Sequence, residues 1–247
     1  MEILFWVLSI AVTLLLMYGL VPTVIFRIFS IGMTKRGHHH KTLALTFDDG
    51  PNRTYTPQLL DLLQQYHIKA TFFIVGECAN RYPEIVKRMH REGHSIGIHH
   101  VKHTSNWYMT PFAAKREINK CASIIEKLTG DKPRYYRPPW GRFNLFTLFT
   151  ARPYQIVLWS GIFKDWKNEP DSTALLERLR RELHGGGIFL LHDNGATKGA
   201  DPEAPANMIQ ALSTFLPEIV SQSYQCLRLE DHLSEFESIH EPEKRSI

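Results

Sequence analysis

Thr42-Leu43-Ala44-Leu45-Thr46-Phe47-Asp48-Asp49-Gly50-Pro51 is the stretch on which the fold turns. A short run of apolar and β-branched residues passes without a break into two adjacent carboxylates and then Gly-Pro, a turn dipeptide. A strand buried on both faces reads as a continuous apolar run rather than an alternating one, the pattern of a parallel sheet covered by helices. In such folds the reactive groups collect at the carboxyl ends of the strands, and that is where Asp48 and Asp49 stand. Asp-Asp-Gly taken alone is compatible with an ordinary turn, so the reading depends on the rest of the chain.

Outward from this strand, apolar runs alternate with amphipathic helical patterns. Thr56-Pro57 predicts a helix to about Tyr66, with Thr56 as its N-cap and Pro57 in the first helical position. Ala70–Val75 predicts a second strand, Pro83–Arg91 a helix ended by Gly93, and Ser95–Ile98 a third strand. Thr110-Pro111 opens the clearest helix, running to Leu128 and stopped at Thr129-Gly130. Further strands are expected at Arg134–Tyr136, Ile156–Trp159 and Gly187–Leu191, and helices around Phe143–Thr150, Ser172–Leu183 and Pro202–Val220. This strand–helix alternation implies a mostly parallel sheet with helices over it.

Unusual polar residues recur at the predicted strand ends. His99, His100 and His103 follow the third strand, and a pair four apart can turn both rings toward one metal. Imidazole with carboxylate suits a divalent transition metal. Arg137-Pro138-Pro139-Trp140-Gly141 is a stiff loop whose arginine could clamp a carboxylate. Trp159-Ser160 is followed closely by Asp165-Trp166, and Leu190-Leu191-His192-Asp193 places a histidine at the end of a buried strand. Each cluster is weak alone. Five at independent strand ends point to one site.

With these residues in place, the chain resembles the NodB-homology polysaccharide deacetylases, carbohydrate esterase family 4, over roughly residues 40–230. Thr46–Gly50 matches the first motif of that family. His99 and His103 match its H-(S/T)-x-x-x-H segment, Arg137–Gly141 its R-P-P-(Y/W)-G motif, Asp165-Trp166 its D-W motif and Leu190–His192 its L-x-H motif. The resemblance implies an α/β fold, a distorted (β/α) barrel with fewer than eight strands, whose groove holds a sugar chain.

The resemblance also implies roles. Asp49, His99 and His103 would hold one divalent metal ion, zinc first, with cobalt, manganese or nickel as alternatives. Asp48 would be the general base, Arg137 its partner, His192 the general acid and Asp165 the group that orients His192. Pro139, Trp140, Trp166 and Leu190 would contact substrate, with the Trp140 backbone N–H at the oxyanion. The implied reaction is hydrolytic N-deacetylation of an N-acetylated polysaccharide, peptidoglycan or a chitin-like oligosaccharide. An O-acetyl esterase on the same site and a catalytically weak carbohydrate-binding member of the fold are the competing readings. Three departures bear on them: His100 stands where the family has Ser or Thr, Ile98 where it often has Asn, and Ile162 where it often has Asp. The expected consequence is altered substrate or metal preference before loss of activity.

Composition is that of a globular protein: 247 residues, 43% hydrophobic and 22% charged, with a net charge of +4. The charge is uneven. Residues 230–247 hold six acids against Lys244 and Arg245, and residues 27–229 are correspondingly basic. A basic body suits an anionic polymer or membrane surface, but no arginine-rich run or nucleic-acid motif is present, so no nucleic-acid partner is expected. Cys78, Cys121 and Cys226 form no CxxC pair, which argues against a disulfide framework or a thiolate metal site. A monomer is expected.

From Ile3 to Phe26 the chain carries no charge. Those 24 residues are long enough to cross a bilayer, which takes about 20. A start without Lys or Arg, and no small-x-small site after the run, favour an uncleaved anchor over a signal peptide. The expected organisation is an anchor at 1–27, a linker at 28–40 with His38, His39 and His40 as a polar spacer, a catalytic domain at 41–230 and an acidic tail at 231–247. Arg27, Lys35, Arg36 and Lys41 flank the run and by the positive-inside rule draw the body inward. A wall-polymer substrate draws it outward, and long folded domains cross despite flanking charge. The expectation is a single-pass membrane protein with an extracytoplasmic catalytic domain.

Overall fold

The computed structural model describes residues 1–167 and 172–234. Among them are nine strands: β1 (Met33–Thr34), β2 (Thr42–Asp48), β3 (Thr71–Ile74), β4 (Ser95–Ile98), β5 (Tyr135–Tyr136), β6 (Gln155–Val157), β7 (Gly161–Ile162), β8 (Gly187–His192) and β9 (Gln225–Cys226). They make one parallel sheet in the order β1-β6-β5-β4-β3-β2-β8-β7, with β9 also paired to β2. This is the expected distorted barrel. The count exceeds eight through two-residue pieces, β1, β5, β7 and β9, which are too short to leave a periodic signal.

β2 is the axis, with every residue buried. Its register decides the site: Asp48 is opposite Phe73 of β3 on one side and His192 of β8 on the other. The same logic brings in the neighbouring strand ends. His99 N–H donates to Ile74 O, and Arg137 N–H donates to Ile98 O.

Helices cover the sheet at Tyr55–Gln65, Gly76–Arg81, Pro83–Arg91, Pro111–Thr129, Thr173–Arg181 and Ala204–Ser221. The helix Pro111–Thr129 shows why. Thr110 Oγ1 accepts from Ala113 N–H, Pro111 has no N–H to leave unpaired, and Gly130 ends the helix at φ 85°. Ala114, Ile118, Cys121, Ala122 and Ile125 recur at three- and four-residue steps and bury one stripe against the sheet. Truncating a core residue such as Ile118 to Ala would cost about 2–5 kcal/mol.

Several boundaries differ from the sequence reading. Thr56 is not an N-cap: the helix starts at Tyr55, and Asn52 Oδ1 accepts from Thr54 and Tyr55 N–H instead. The helix expected around Phe143–Thr150 is one turn, Thr147–Thr150, because the Asn144 side chain takes the N–H of Phe146 and the hydroxyl of Thr147. At the other end the helix Leu229–Leu233 carries the fold past residue 230, with Leu229 and His232 buried. The acidic tail expected at 231–247 therefore begins inside the fold, and its residues 235–247 lie outside the described ones.

The N-terminal segment packs onto the rest of the fold. One apolar helix runs Glu2–Phe29, with a wider π turn at Leu16–Leu20. Its first half touches little, but its second half is seated on the rest of the fold. Thr23 Oγ1 is buried and takes N–H bonds from Trp107 Nε1 and Phe143, at 2.8 and 2.9 Å. Leu145 N–H donates to Tyr18 O, and the Phe26 ring meets Phe143 edge-on. Gly19 permits this approach, since a Cβ there would lie 2.9 Å from the Trp107 ring. The segment expected as a linker, 28–40, supplies β1, which pairs with β6. Residues on both sides of position 27 therefore contact the rest of the fold. A charge-free run has the same hydropathy whether it faces lipid or protein, so sequence alone cannot place them.

Candidate active site

Arg137 is fully buried and bonds through four of its five N–H donors. Nη1 donates to Asp48 Oδ1 at 2.7 Å and to Thr46 Oγ1 at 2.8 Å, Nε to Val157 O, and Nη2 to Leu158 O. The guanidinium lies 4.1 Å from the centre of the Phe73 ring. Burial alone lowers the arginine, and the Asp48 carboxylate works against that. Asp48 is thereby fixed in direction, with its second oxygen turned toward His99 Nε2 at 3.7 Å.

Asp49 follows at φ 76°, in the left-handed region that an L-residue adopts only under constraint. Asn194 Nδ2 donates to its backbone oxygen and Thr197 Oγ1 to its Oδ2. Its Oδ1 is buried and completes no hydrogen bond, although His103 Nε2 is 3.1 Å away and His99 Nε2 3.3 Å. Burial works to raise this carboxyl, but His103 and His99, with His192 behind them, hold it well below the usual carboxylate range. His99 Nδ1 is 2.7 Å from Arg137 O. A carbonyl can only accept, so Nδ1 carries the hydrogen and Nε2 presents a lone pair.

One ligand atom from each of Asp49, His99 and His103 lies within 4.8 Å of the others. An orphaned carboxylate oxygen and an imidazole lone pair fixed by its second-sphere carbonyl are a fit donor set for a divalent transition metal. His103, at φ 49°, is walled by the Trp140 ring at 4.2 Å. Trp140 is itself at φ 57°, and Arg142 stacks between it and Trp107.

Across the groove, Asp165 Oδ2 accepts from the His192 backbone N–H at 2.6 Å, and its Oδ1 lies 3.0 Å from His192 Nδ1. Burial would lower this imidazole. The Asp165 carboxylate, helped by Asp49 and Asp48, outweighs burial and pushes it up to about 9. His192 is therefore a cation at neutral pH, with Nδ1 held and Nε2 available. Trp166 packs edge-on against its ring.

Asp48, Asp49, His99, His103, Trp140, Trp166, Leu190 and His192 line one groove of about 370 Å³. Arg137 and Asp165 stand behind its wall, each bonded to a groove residue. Pro139 is buried in its loop and is not on the groove surface. Three residues without a sequence-assigned role complete the site. Asn194 and Thr197 brace Asp49 from the polar run after β8, a signal legible in retrospect. Arg27 lines the groove from the N-terminal helix, stacked 5.3 Å from the centre of the Trp159 ring, and nothing in its neighbours marks it.

The departures can now be placed. His100 points away from the ligands and is fully buried. Its Nδ1 donates to Thr104 O at 2.9 Å, so its Nε2 accepts from Tyr136 Oη at 2.8 Å. Burial, with His99 beside it, lowers it to about 3, so it is neutral. The imidazole braces the loop that a small hydroxyl would brace. Ile162 is half exposed on the groove wall, and Ile98 is buried in β4. Below the site, a Cβ on Gly50 would lie 2.3 Å from the Asp193 carboxylate. Burial raises that carboxyl to about 7, against the pull of its hydrogen bond from Thr56. Gly50 is thus required by a close approach.

Residues 35–158 match the family model described as polysaccharide deacetylase. A peptidoglycan-N-acetylglucosamine deacetylase of Bacillus cereus is 36% identical over 200 residues, 79% of this chain and 90% of its own. The peptidoglycan-N-acetylmuramic acid deacetylase PdaA of Bacillus subtilis is 31% identical over 214 residues, 85% of this chain and 76% of its own. Among solved structures, the Bc1960 peptidoglycan N-acetylglucosamine deacetylase superposes with a TM-score of 0.76 at 29% identity, over 84% of this chain and 95% of that one. A CE4 family pseudoenzyme from Bacillus anthracis superposes with a TM-score of 0.72 at 25% identity, over 81% and 68%.

Proposed function

The chain belongs to the polysaccharide deacetylase family, hydrolases of carbon–nitrogen bonds, and on that premise we propose that it removes N-acetyl groups from peptidoglycan outside the cell membrane. The fold alone does not carry this reading, since a pseudoenzyme shares it. The observation that carries it is the meeting of three assemblies in one groove: Asp48 fixed by Arg137, the donor set Asp49, His99 and His103, and His192 charged by Asp165.

The donor set would hold one divalent ion, zinc by its nitrogen and oxygen ligands. When bound, such an ion supplies Lewis acidity toward water and the acetamide carbonyl. The chain's own groups do the rest. Asp48 takes the proton of the attacking water, and Arg137 keeps its carboxylate aimed. The oxyanion that forms at the carbonyl meets the Trp140 backbone N–H, a contact worth about 3–4 kcal/mol per donor. An amine leaves only when protonated. His192 is charged at neutral pH and delivers that proton from Nε2, while Asp165 holds Nδ1. Trp166 and Leu190 wall the acetyl methyl and keep water from the departing group.

The N-terminal helix would anchor the protein with its catalytic domain on the outer side, where the polymer lies. The test is acetate release by the full chain from peptidoglycan glycan strands, from chito-oligosaccharides and from an O-acetylated glycan of matched length. Release from N-acetylated substrates with little from the O-acetyl ester supports the proposal. The opposite preference would make the protein an esterase, and release from neither would make it a binder.

A further inference from the structure

We infer that the catalytic domain is held flat against the bilayer by an apolar, acid-free collar around the foot of the N-terminal helix, a surface built for anionic lipid. This rests on the reading of that helix as a membrane anchor and deepens it.

The first observation is geometric. Glu2–Met17, sixteen residues or about 24 Å of helix, has no hydrogen bond to the domain and meets it only around Leu145, and a bilayer core is about 30 Å thick. From Tyr18 onward the helix is bonded to the domain through Leu145 N–H and the Thr23 hydroxyl. On its outer side Leu20, Val24, Ile25, Ile28 and Phe29 remain exposed. The free part is too short to span with the domain clear of the surface, so burying the exposed apolar face of the seated part brings the domain down to the interface.

The second observation is what the domain presents there. The two segments that grip Tyr18, residues 108–112 and 145–149, carry large exposed apolar side chains: Tyr108 at 72% exposure, Phe112 at 87%, Leu145 at 56%, Phe146 at 42% and Phe149 at 67%. Tyr18 bonds to Met109 O, between Tyr108 and Phe112, and its ring meets Phe146. These residues therefore surround the helix rather than scatter over the surface. Exposed apolar groups gathered around an apolar helix form an interfacial belt.

The third observation is charge. The three segments from which these residues come, 3–47, 101–116 and 132–164, contain no Asp or Glu, although the chain has 25 acids. They carry Lys115 and Arg116 one turn from Phe112, and Arg152 one turn from Phe149, all exposed. Bases at this position are drawn to an anionic leaflet. Because Arg27 of the same helix lines the catalytic groove, a docked domain would work on glycan lying next to the membrane.

The test uses the full chain in lipid nanodiscs of phosphatidylcholine with and without phosphatidylglycerol, with an environment-sensitive dye on a single introduced cysteine in a Cys78→Ala, Cys226→Ala background. Positions are Phe112→Cys, Phe149→Cys, Ile10→Cys in the free helix, and Lys132→Cys beyond the far end of the helix Pro111–Thr129. With acyl-chain-quencher lipids, the expected result is quenching at 10, 112 and 149 at least about twofold greater than at 132, and stronger at 112 and 149 with the anionic lipid. Quenching at 10 but not at 112 or 149 overturns the collar and leaves the anchor standing. No quenching at any position overturns the anchor reading and the collar with it.

Discussion

Arg137 Nη1 stands 2.7 Å from Asp48 Oδ1, with the arginine side chain fully buried and the carboxylate only 4% exposed. Four further anchors, Thr46 Oγ1, Val157 O, Leu158 O and the Phe73 ring, hold the guanidinium whether or not the carboxylate is there. Asp48→Asn keeps an oxygen for Arg137 but cannot take a proton. It should lower turnover by about 10²–10⁴ while circular dichroism and metal content stay as in the parent. Arg137→Ala leaves a buried carboxylate alone and should cost about 3–5 kcal/mol in denaturant unfolding. An Asp48→Asn protein with parental acetate release would remove Asp48 from the role of base.

The ligand set makes a separate prediction. Asp49 Oδ1 without a hydrogen bond, beside a lone pair on His99, should bind one divalent ion per chain. Elemental analysis of Asp49→Asn and His103→Ala should show most of the metal gone, and a chelator should abolish parental activity and lower the melting temperature, because an ion bound only by the folded state stabilises it. Stoichiometric metal in both variants would place the ion elsewhere.

Much of this site was legible because chemistry at strand ends leaves a mark in sequence. Asp48, His99, Arg137 and His192 each interrupt or end an apolar run, and the parallel register brings the ends together without any further instruction. What was not legible has physical reasons as well. Two-residue strands such as β7 and β9 have no period to detect. Thr56, read as a cap from its place before Pro57, instead turns its hydroxyl to Asp193, a partner 137 residues away. Arg27 reached the groove because the helix that carries it is seated on Trp107 and Phe143, a tertiary contact that hydropathy cannot register.

The His192–Asp165 pair sets an alkaline limit. His192 is raised from an ordinary value of 6.5 to about 9. A raised imidazole stabilises the fold fully below about 6.5, and that contribution fades as pH rises through about 9. Its work as an acid follows the same proton, so kcat/KM should fall above about pH 9. In Asp165→Asn the main attraction is lost and burial prevails, so the limb should move down by more than one pH unit, with a lower maximum. A pH–rate profile whose alkaline limb stays in place would mean that another group titrates there.

His100 should prove structural. Its ring is spent on Thr104 O and Tyr136 Oη and faces away from His99 Nε2. His100→Ala leaves a buried hydroxyl and a loop carbonyl short of partners, at a cost of about 1–3 kcal/mol, while metal content stays at the parental level. His100→Ser should recover part of that stability through Thr104. Loss of metal in His100→Ala at temperatures where the protein is folded would count against this placement.

The seated half of the N-terminal helix separates two truncations that a tether would not distinguish. Removing residues 1–17 takes away only chain that touches no other part of the fold except near Tyr18 and Leu145, and should leave a folded, active enzyme. Removing residues 1–40 deletes β1, the Thr23 hydroxyl with its bonds to Trp107 and Phe143, and Arg27 from the groove. Each lost buried hydrogen bond costs about 0.5–1.5 kcal/mol, and the face of Phe143 that Phe26 covers is exposed in addition. The shorter protein should melt several degrees lower and elute as aggregate, with reduced acetate release even where it stays monomeric. Equal melting temperatures and turnover for 18–247 and 41–247 would show that residues 18–40 are a tether after all, and that the catalytic fold is complete without them.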